Sequence, residues 1–201
     1  MNSEQPDLLH LPKIVVHPGE QAVTAEPSLI TTLLGSCIAV CLYDPVNKVA
    51  GMNHFLLANR RYAKDIPMPI SEAGRYGINA MELLINALLK KGAERKYFKA
   101  KVFGGAAVIQ LDVQDNFMCV GDVNARFIKE FLNTEKIATE SMDIGGTQGR
   151  VIKFRTDTYA VYRRFIKKTA EVALEKNEHS FWQNKLEENK KSESGTIFLF
   201  N

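Results

Sequence analysis

The chain has 201 residues, 45% hydrophobic and 24% charged, the balance of a globular protein with one sizeable core and little room for two full domains. Its 26 Lys and Arg are scattered among 23 Asp and Glu, giving a net charge of +3, so no basic stripe argues for nucleic acid. No apolar run approaches the roughly 20 residues of a spanning helix, the N-terminus MNSEQPDLLHLPK lacks a signal-peptide core, and three cysteines make no disulfide framework; the expectation is a cytoplasmic protein with reduced thiols and no membrane insertion.

In chain order, residues 13–36 (KIVVHPGEQAVTAEPSLITTLLGS) mix β-branched residues with Pro and Gly, and read as a strand, a loop and the lead-in to the next strand. CIAVCLY and VAGMNHFLL follow as two buried strands joined by DPVN, whose Asp and Pro suit a type I turn. Residues 59–70 hold prolines and charges and read as loop. SEAGRYGINAMELLINALLKKG predicts a helix, with Ile78, Met81, Ile85, Leu88 and Leu89 at helical spacing and Gly92 just past its end. YFKAKVF alternates as a strand and stops at GGAA. GDVNARFIKEFLNTEKI predicts a second helix, with Asp122 as N-cap and a stripe of Val123, Phe127, Ile128, Phe131 and Leu132. ATESMDI, RVIKFRTD and YAVYRRF supply further strands, the first two separated by GGTQGR. Strands outnumber helices, so the fold class is mixed α/β with layered sheets. From residue 167 the chain turns polar and Lys/Glu-rich; residues 1–166 are read as the domain and 167–201 as a partly helical C-terminal extension ending in TIFLF.

The hairpin raises the chemical question. If Pro45 and Val46 form a two-residue tip, Asp44 faces Asn47 and Cys37 faces His54, and directly opposed residues have Cβ atoms about 4.5–5.5 Å apart. The GSC context adds a glycine two residues before the thiol, which allows successive N–H groups around Ser36 and Cys37 to point into one space as an oxyanion hole. An adjacent imidazole can take the thiol proton, so the residues fit a Cys/His nucleophile. Burial offers a plainer reading for both, since cysteine and strand histidine are often core residues. Zinc fits poorly: Cys37 and Cys41 are spaced wider than CxxC and no second ligand pair follows. Thiol exchange fits poorly for the same spacing. Cys41 and Cys119 lack a histidine or glycine context and are read as core.

TTLLGSCIAVCLYDPVNKVAGMNHFLL, GRYGINAMELLINALLKKGA, KVFGGA, GDVNARFIKEFL and DIGGTQGR stand in the order and spacing of the CheD family, and the resemblance runs from about residue 13 to about 165. It implies hydrolysis of glutamine side-chain amides to glutamates on methyl-accepting chemotaxis receptors, with release of ammonia and no cofactor. Some members of that family also hydrolyse receptor methyl esters, and some bind the phosphatase CheC. The implied fold is similar to the catalytic domain of the cytotoxic necrotizing factor toxins, a layered β-sheet sandwich flanked by helices. The implied site is a Cys/His/Thr triad: Cys37 of GSC, His54 of NHF, and Thr31, six residues before the cysteine and next to Thr32. Gly35 and Ser36 are expected at the oxyanion, and Gly104 and Gly105 beside the substrate; tight turns are the plainer reading for such glycines. Ala58, where a proline is common, and the tail beyond about 165 depart from the family pattern. A non-catalytic adaptor for the receptor or for a CheC-like phosphatase is the competing class.

Overall fold

The computed structural model describes residues 10–57, 72–108 and 120–167, with 173–174, 176–181, 183–184 and 187 of the C-terminal segment. The expected loop at 59–70, Ala58, Cys119 and the terminal TIFLF lie outside the described residues. Among the described residues nine strands form two sheets. The first runs β1 (Lys13–Val15), β3 (Leu29–Leu34), β8 (Arg150–Arg155), β9 (Val161–Phe165); the second runs β2 (Gln21–Thr24), β5 (Val49–Phe55), β4 (Ile38–Asp44), β6 (Lys99–Gly104), β7 (Ala138–Ile144). The pairs β1/β3 and β6/β7 are parallel and the others antiparallel. Helices α1 (Glu72–Lys90) and α2 (Val120–Thr134) cover the outer face of the second sheet. No helix among the described residues is long and apolar enough to cross a membrane.

The layering explains β4. All seven of its residues are buried, because one face meets the first sheet and the other meets the helices, so its sequence is a continuous apolar run with no alternation. Cys37, Ala39, Cys41 and Tyr43 join Ile30, Leu34, Ile152 and Phe154 between the sheets. Ile38, Val40 and Leu42 join Met81, Ile85 and Phe127 under the helices, where Phe55 and Phe127 meet edge to face at 5.8 Å. Each of the buried Val, Leu, Ile, Phe and Met side chains among them contributes roughly 1.5–3 kcal/mol.

Several boundaries differ from the sequence reading. Residues 13–36 hold three strands, because the chain passes from the first sheet to the second and back, with Gly19 at φ +86 in the first reversal; each piece is too short to show a period. In α1, Leu84 is buried and Leu89 is 38% exposed, so the buried stripe is Met81, Leu84, Ile85, Leu88. Its end follows expectation: Gly92 takes φ +96, with bonds from Gly92 N to Leu89 O and Ala93 N to Leu88 O, a Schellman closure. Helix α2 begins at Val120, so Asp122 is no N-cap; it lies in the first turn, where its charge complements the helix dipole.

The hairpin loop is longer than two residues. The Asp44 carboxylate accepts the N–H groups of Val46 and Asn47 at 2.8 and 3.0 Å, closing a turn over residues 45–48 with Lys48 at φ 56. Asp44 therefore pairs with Val49, and His54 pairs with Ala39. The shift is two residues, an even number, so Cys37 and His54 keep one face and become diagonal neighbours.

Candidate active site

Gly35, Ser36 and Cys37 are the crossing from β3 in the first sheet to β4 in the second. Their three carbonyls are each held from outside: Gly35 O accepts from Ala106 N at 2.7 Å, Ser36 O from Asn124 Nδ2 at 2.7 Å, and Cys37 O from Gly105 N at 2.7 Å. A peptide plane fixed at its oxygen has its N–H fixed in the opposite direction. The holds on Gly35 O and Ser36 O thus aim the N–H of the next residue in each case, Ser36 and Cys37, and together with the N–H of Gly35 these converge on one point, the carboxylate of Glu178 from the C-terminal segment, at 2.7, 3.4 and 2.8 Å respectively. The Ser36 hydroxyl donates to the same carboxylate at 2.6 Å. The crossing is thus a nest with affinity for an anionic oxygen.

Gly104 and Gly105, expected beside the substrate, brace the Cys37 backbone. A Cβ on Gly104, which has φ +114, would stand 2.0 Å from the Cys37 carbonyl oxygen, and Gly105 supplies the N–H that this oxygen accepts. The GGTQGR turn wraps the buried Arg150, whose guanidinium donates to the Asp143 and Gly145 carbonyls and to the Asp143 carboxylate.

His54 lies on the inter-sheet face of β5. Its Nδ1 is 2.7 Å from the Thr32 hydroxyl, which itself donates to Val16 O at 2.7 Å. A hydroxyl has one proton, and Val16 O can only accept, so the imidazole Nδ1 carries the hydrogen between them. Nε2 is left with its lone pair; it is buried and has no hydrogen-bond partner among the described residues. The threonine is a correction. Thr31 points to the other face of the β3 pleat, where its hydroxyl donates to Ile152 O at 3.0 Å, and successive residues of a strand cannot share a face.

Cys37 Sγ, a ring nitrogen of His54 and a carboxylate oxygen of Glu178 all lie within 4.8 Å of one another. All three residues are buried. Burial holds His54 neutral, down to about 4. It also pushes the Cys37 thiol well up, with the charge and hydrogen bond of Glu178 adding to the rise, so the proton stays on sulfur while the carboxylate is there. The trio has metal-ligand chemistry, yet the carboxylate oxygens already face N–H donors whose positive ends repel a cation. A cleft of about 480 Å³ runs past His54, Asn53, Tyr76 and Asn79, and neither Cys37 nor Glu178 lines it; the space beside the thiol is filled.

The family model for CheD chemotactic sensory transduction matches residues 56–165. A Geobacter sulfurreducens protein named "Probable chemoreceptor glutamine deamidase CheD 1" is 48% identical over 85% of this chain and 86% of its own length. This chain belongs to the CheD family. A Shewanella oneidensis protein, "Probable chemoreceptor glutamine deamidase CheD 2", is also 48% identical, over 87% of this chain and 88% of its own, and a Zymomonas mobilis CheD is 44% identical over 71% and 74%. The CheD family model begins just past His54, so the case for the thiol and imidazole rests on the geometry above. Two residues that touch the site escaped the sequence reading. Asn124, whose amide also accepts from Leu57 N at 2.8 Å, is a buried polar residue inside the apolar stripe of α2, a visible irregularity. Glu178 falls midway between Leu174 and Phe181 at helical spacing, a signal hidden by the polarity of the tail.

Proposed function

We infer that this CheD protein hydrolyses glutamine side-chain amides to glutamates on methyl-accepting chemotaxis receptors in the cytoplasm, with Cys37 as nucleophile, His54 as base and Thr32 as the residue that positions the imidazole. The observation that carries the reading is the convergence of three backbone N–H groups on a carboxylate beside a thiol and an imidazole with its Nε2 lone pair free. A glutamine amide oxygen seated where that carboxylate lies has its carbonyl polarised toward the thiol. Nε2 takes the thiol proton as sulfur attacks the amide carbon. The nest holds the tetrahedral oxyanion, a contribution whose loss typically costs about 10²–10³ in rate. The imidazolium returns its proton to the departing nitrogen, so ammonia leaves and a thioester remains. Water, deprotonated by Nε2, then releases glutamate and the thiol. No step needs a metal or organic cofactor.

The test is to incubate a receptor cytoplasmic fragment with the wild-type chain and with Cys37→Ala, and to map glutamine-to-glutamate conversion by peptide mass spectrometry. Conversion by the wild type alone is expected; undiminished conversion by folded Cys37→Ala overturns the reading. A CheC-type phosphatase as second partner rests on sequence resemblance alone, and co-purification of the two proteins is its test.

A further inference from the structure

We propose that the C-terminal extension is a built-in inhibitor that seats Glu178 in the active site as a tethered copy of the reaction product. The inference rests on the proposed glutamine deamidation, because the side chain of glutamate is what that reaction leaves in the nest. Glu178 satisfies both carboxylate oxygens there: Oε1 accepts from Gly35 N, and Oε2 accepts from Ser36 N and the Ser36 hydroxyl. Charged acceptors hold such donors more tightly than a neutral amide oxygen does, so a carboxylate outcompetes the substrate amide for the same site.

The seating is specific. Leu174, Glu178 and Phe181 lie at i, i+4 and i+7 on one helical face, and each meets a glycine. A Cβ on Gly149 would stand 2.5 Å from Leu174, one on Gly35 2.6 Å from Glu178, and one on Gly19 3.4 Å from Phe181. Leu174 and Glu178 are only 5% and 2% exposed, whereas residues 173, 176, 177 and 180 are exposed. Cys37 is fully buried in this arrangement, and the carboxylate keeps its thiol protonated. A tether also gives the segment a high effective concentration, so receptor glutamines compete poorly until the segment lifts. The chain is then active in proportion to the open fraction.

The experiment uses the full chain and three variants, Glu178→Ala, Leu174→Asp and Glu178→Gln, with thermal melts to establish folding. Two rates are read: alkylation of Cys37 by iodoacetamide at neutral pH, and conversion of glutamines in a receptor fragment. Glu178→Ala and Leu174→Asp are expected to raise both by about 10-fold or more. Rates equal to or below wild type in both folded variants overturn the proposal. Faster alkylation in chains that convert no receptor glutamine sustains the plug and refutes the deamidase reading instead. Glu178→Gln turns the plug into a substrate: Sγ bonds to the amide carbon of the substituted side chain, the C–N bond breaks, ammonia leaves with the proton from His54, and water cleaves the thioester to restore the native glutamate. The expected result in the Glu178→Gln chain is gain of the acid mass at position 178, absent when Cys37→Ala is added. A substituted side chain that stays an amide in a chain converting receptor glutamines overturns the placement of Glu178 as product.

Discussion

Thr32→Val tests the imidazole geometry most directly. Valine keeps the shape of threonine and removes the hydroxyl, so the bond to Val16 O and the bond from His54 Nδ1, both 2.7 Å, are lost together. Thr32 is only 4% exposed, and water cannot replace the hydroxyl without space to enter. Leaving a buried donor or acceptor unpaired costs about 1–3 kcal/mol, and the substitution removes the shared partner of two, the Val16 carbonyl and the His54 Nδ1–H, a loss of at least about 2 kcal/mol. At about 2–4 °C per kcal/mol for a chain of this size, the melting temperature falls by roughly 5 °C. The ring also loses the contact that fixes its tilt, and a displacement of about 1 Å at a reacting atom costs about 10²-fold. Receptor-glutamine conversion is expected to fall by about 10–100-fold in kcat with KM little changed. Thr31→Val removes only a partly exposed bond to Ile152 O and is expected to leave kcat within about twofold and the melting temperature within about 2 °C. Loss of kcat in Thr31→Val with an unaffected Thr32→Val refutes the reasoning, because the imidazole partner is then on the other face of β3.

Gly104→Ala introduces a Cβ 2.0 Å from Cys37 O at φ +114, a backbone strain of about 1–3 kcal/mol before the clash is relieved; relief displaces the Cys37 carbonyl, and kcat drops by about 10²-fold or more in a chain whose melting point is measured alongside. Asn124→Leu frees the Ser36 carbonyl and the Leu57 N–H, each worth about 1–3 kcal/mol, and kcat falls further than KM rises, because the Cys37 N–H loses its aim. For acid stability, His54 has a native pKa of about 4 against about 6.5 when unfolded. Between those values the unfolded chain binds the extra proton, so stability is full above pH 6.5 and declines as pH falls toward 4, by about 3 kcal/mol in all. Urea midpoints across that window should show the slope, and His54→Gln should flatten it. For alkaline stability, the raised Cys37 pKa means that only the unfolded chain releases the thiol proton just above pH 9.0, so stability falls with rising pH there; burial raises the Cys41 thiol as well, so Cys37→Ala should lessen that loss and the Cys37→Ala, Cys41→Ala pair should lessen it further.

The sequence by itself determined most of the local structure. Periodicity located α1 and α2, because the buried face of an amphipathic helix recurs every three to four residues whatever it packs against. The unbroken apolar run of β4 marked a strand covered on both faces. The GSC and NHF motifs, with the DPVN reversal between them, sufficed to bring Cys37 and His54 to one face, since a register error of two residues preserves the face. What only the tertiary structure decided depends on contacts distant in sequence. Asp44 set the hairpin register through its own carboxylate bonds, and the pleat of β3 gave the imidazole to Thr32 and turned Thr31 away. The aim of the Ser36 and Cys37 N–H groups is set by Ala106 and Asn124, about 70–90 residues from the thiol. Glu178 is further still: in sequence it is one acid among many in a polar tail, and only folding shows that its carboxylate closes the nest beside Cys37, because burial of a charge is decided by the donors assembled around it.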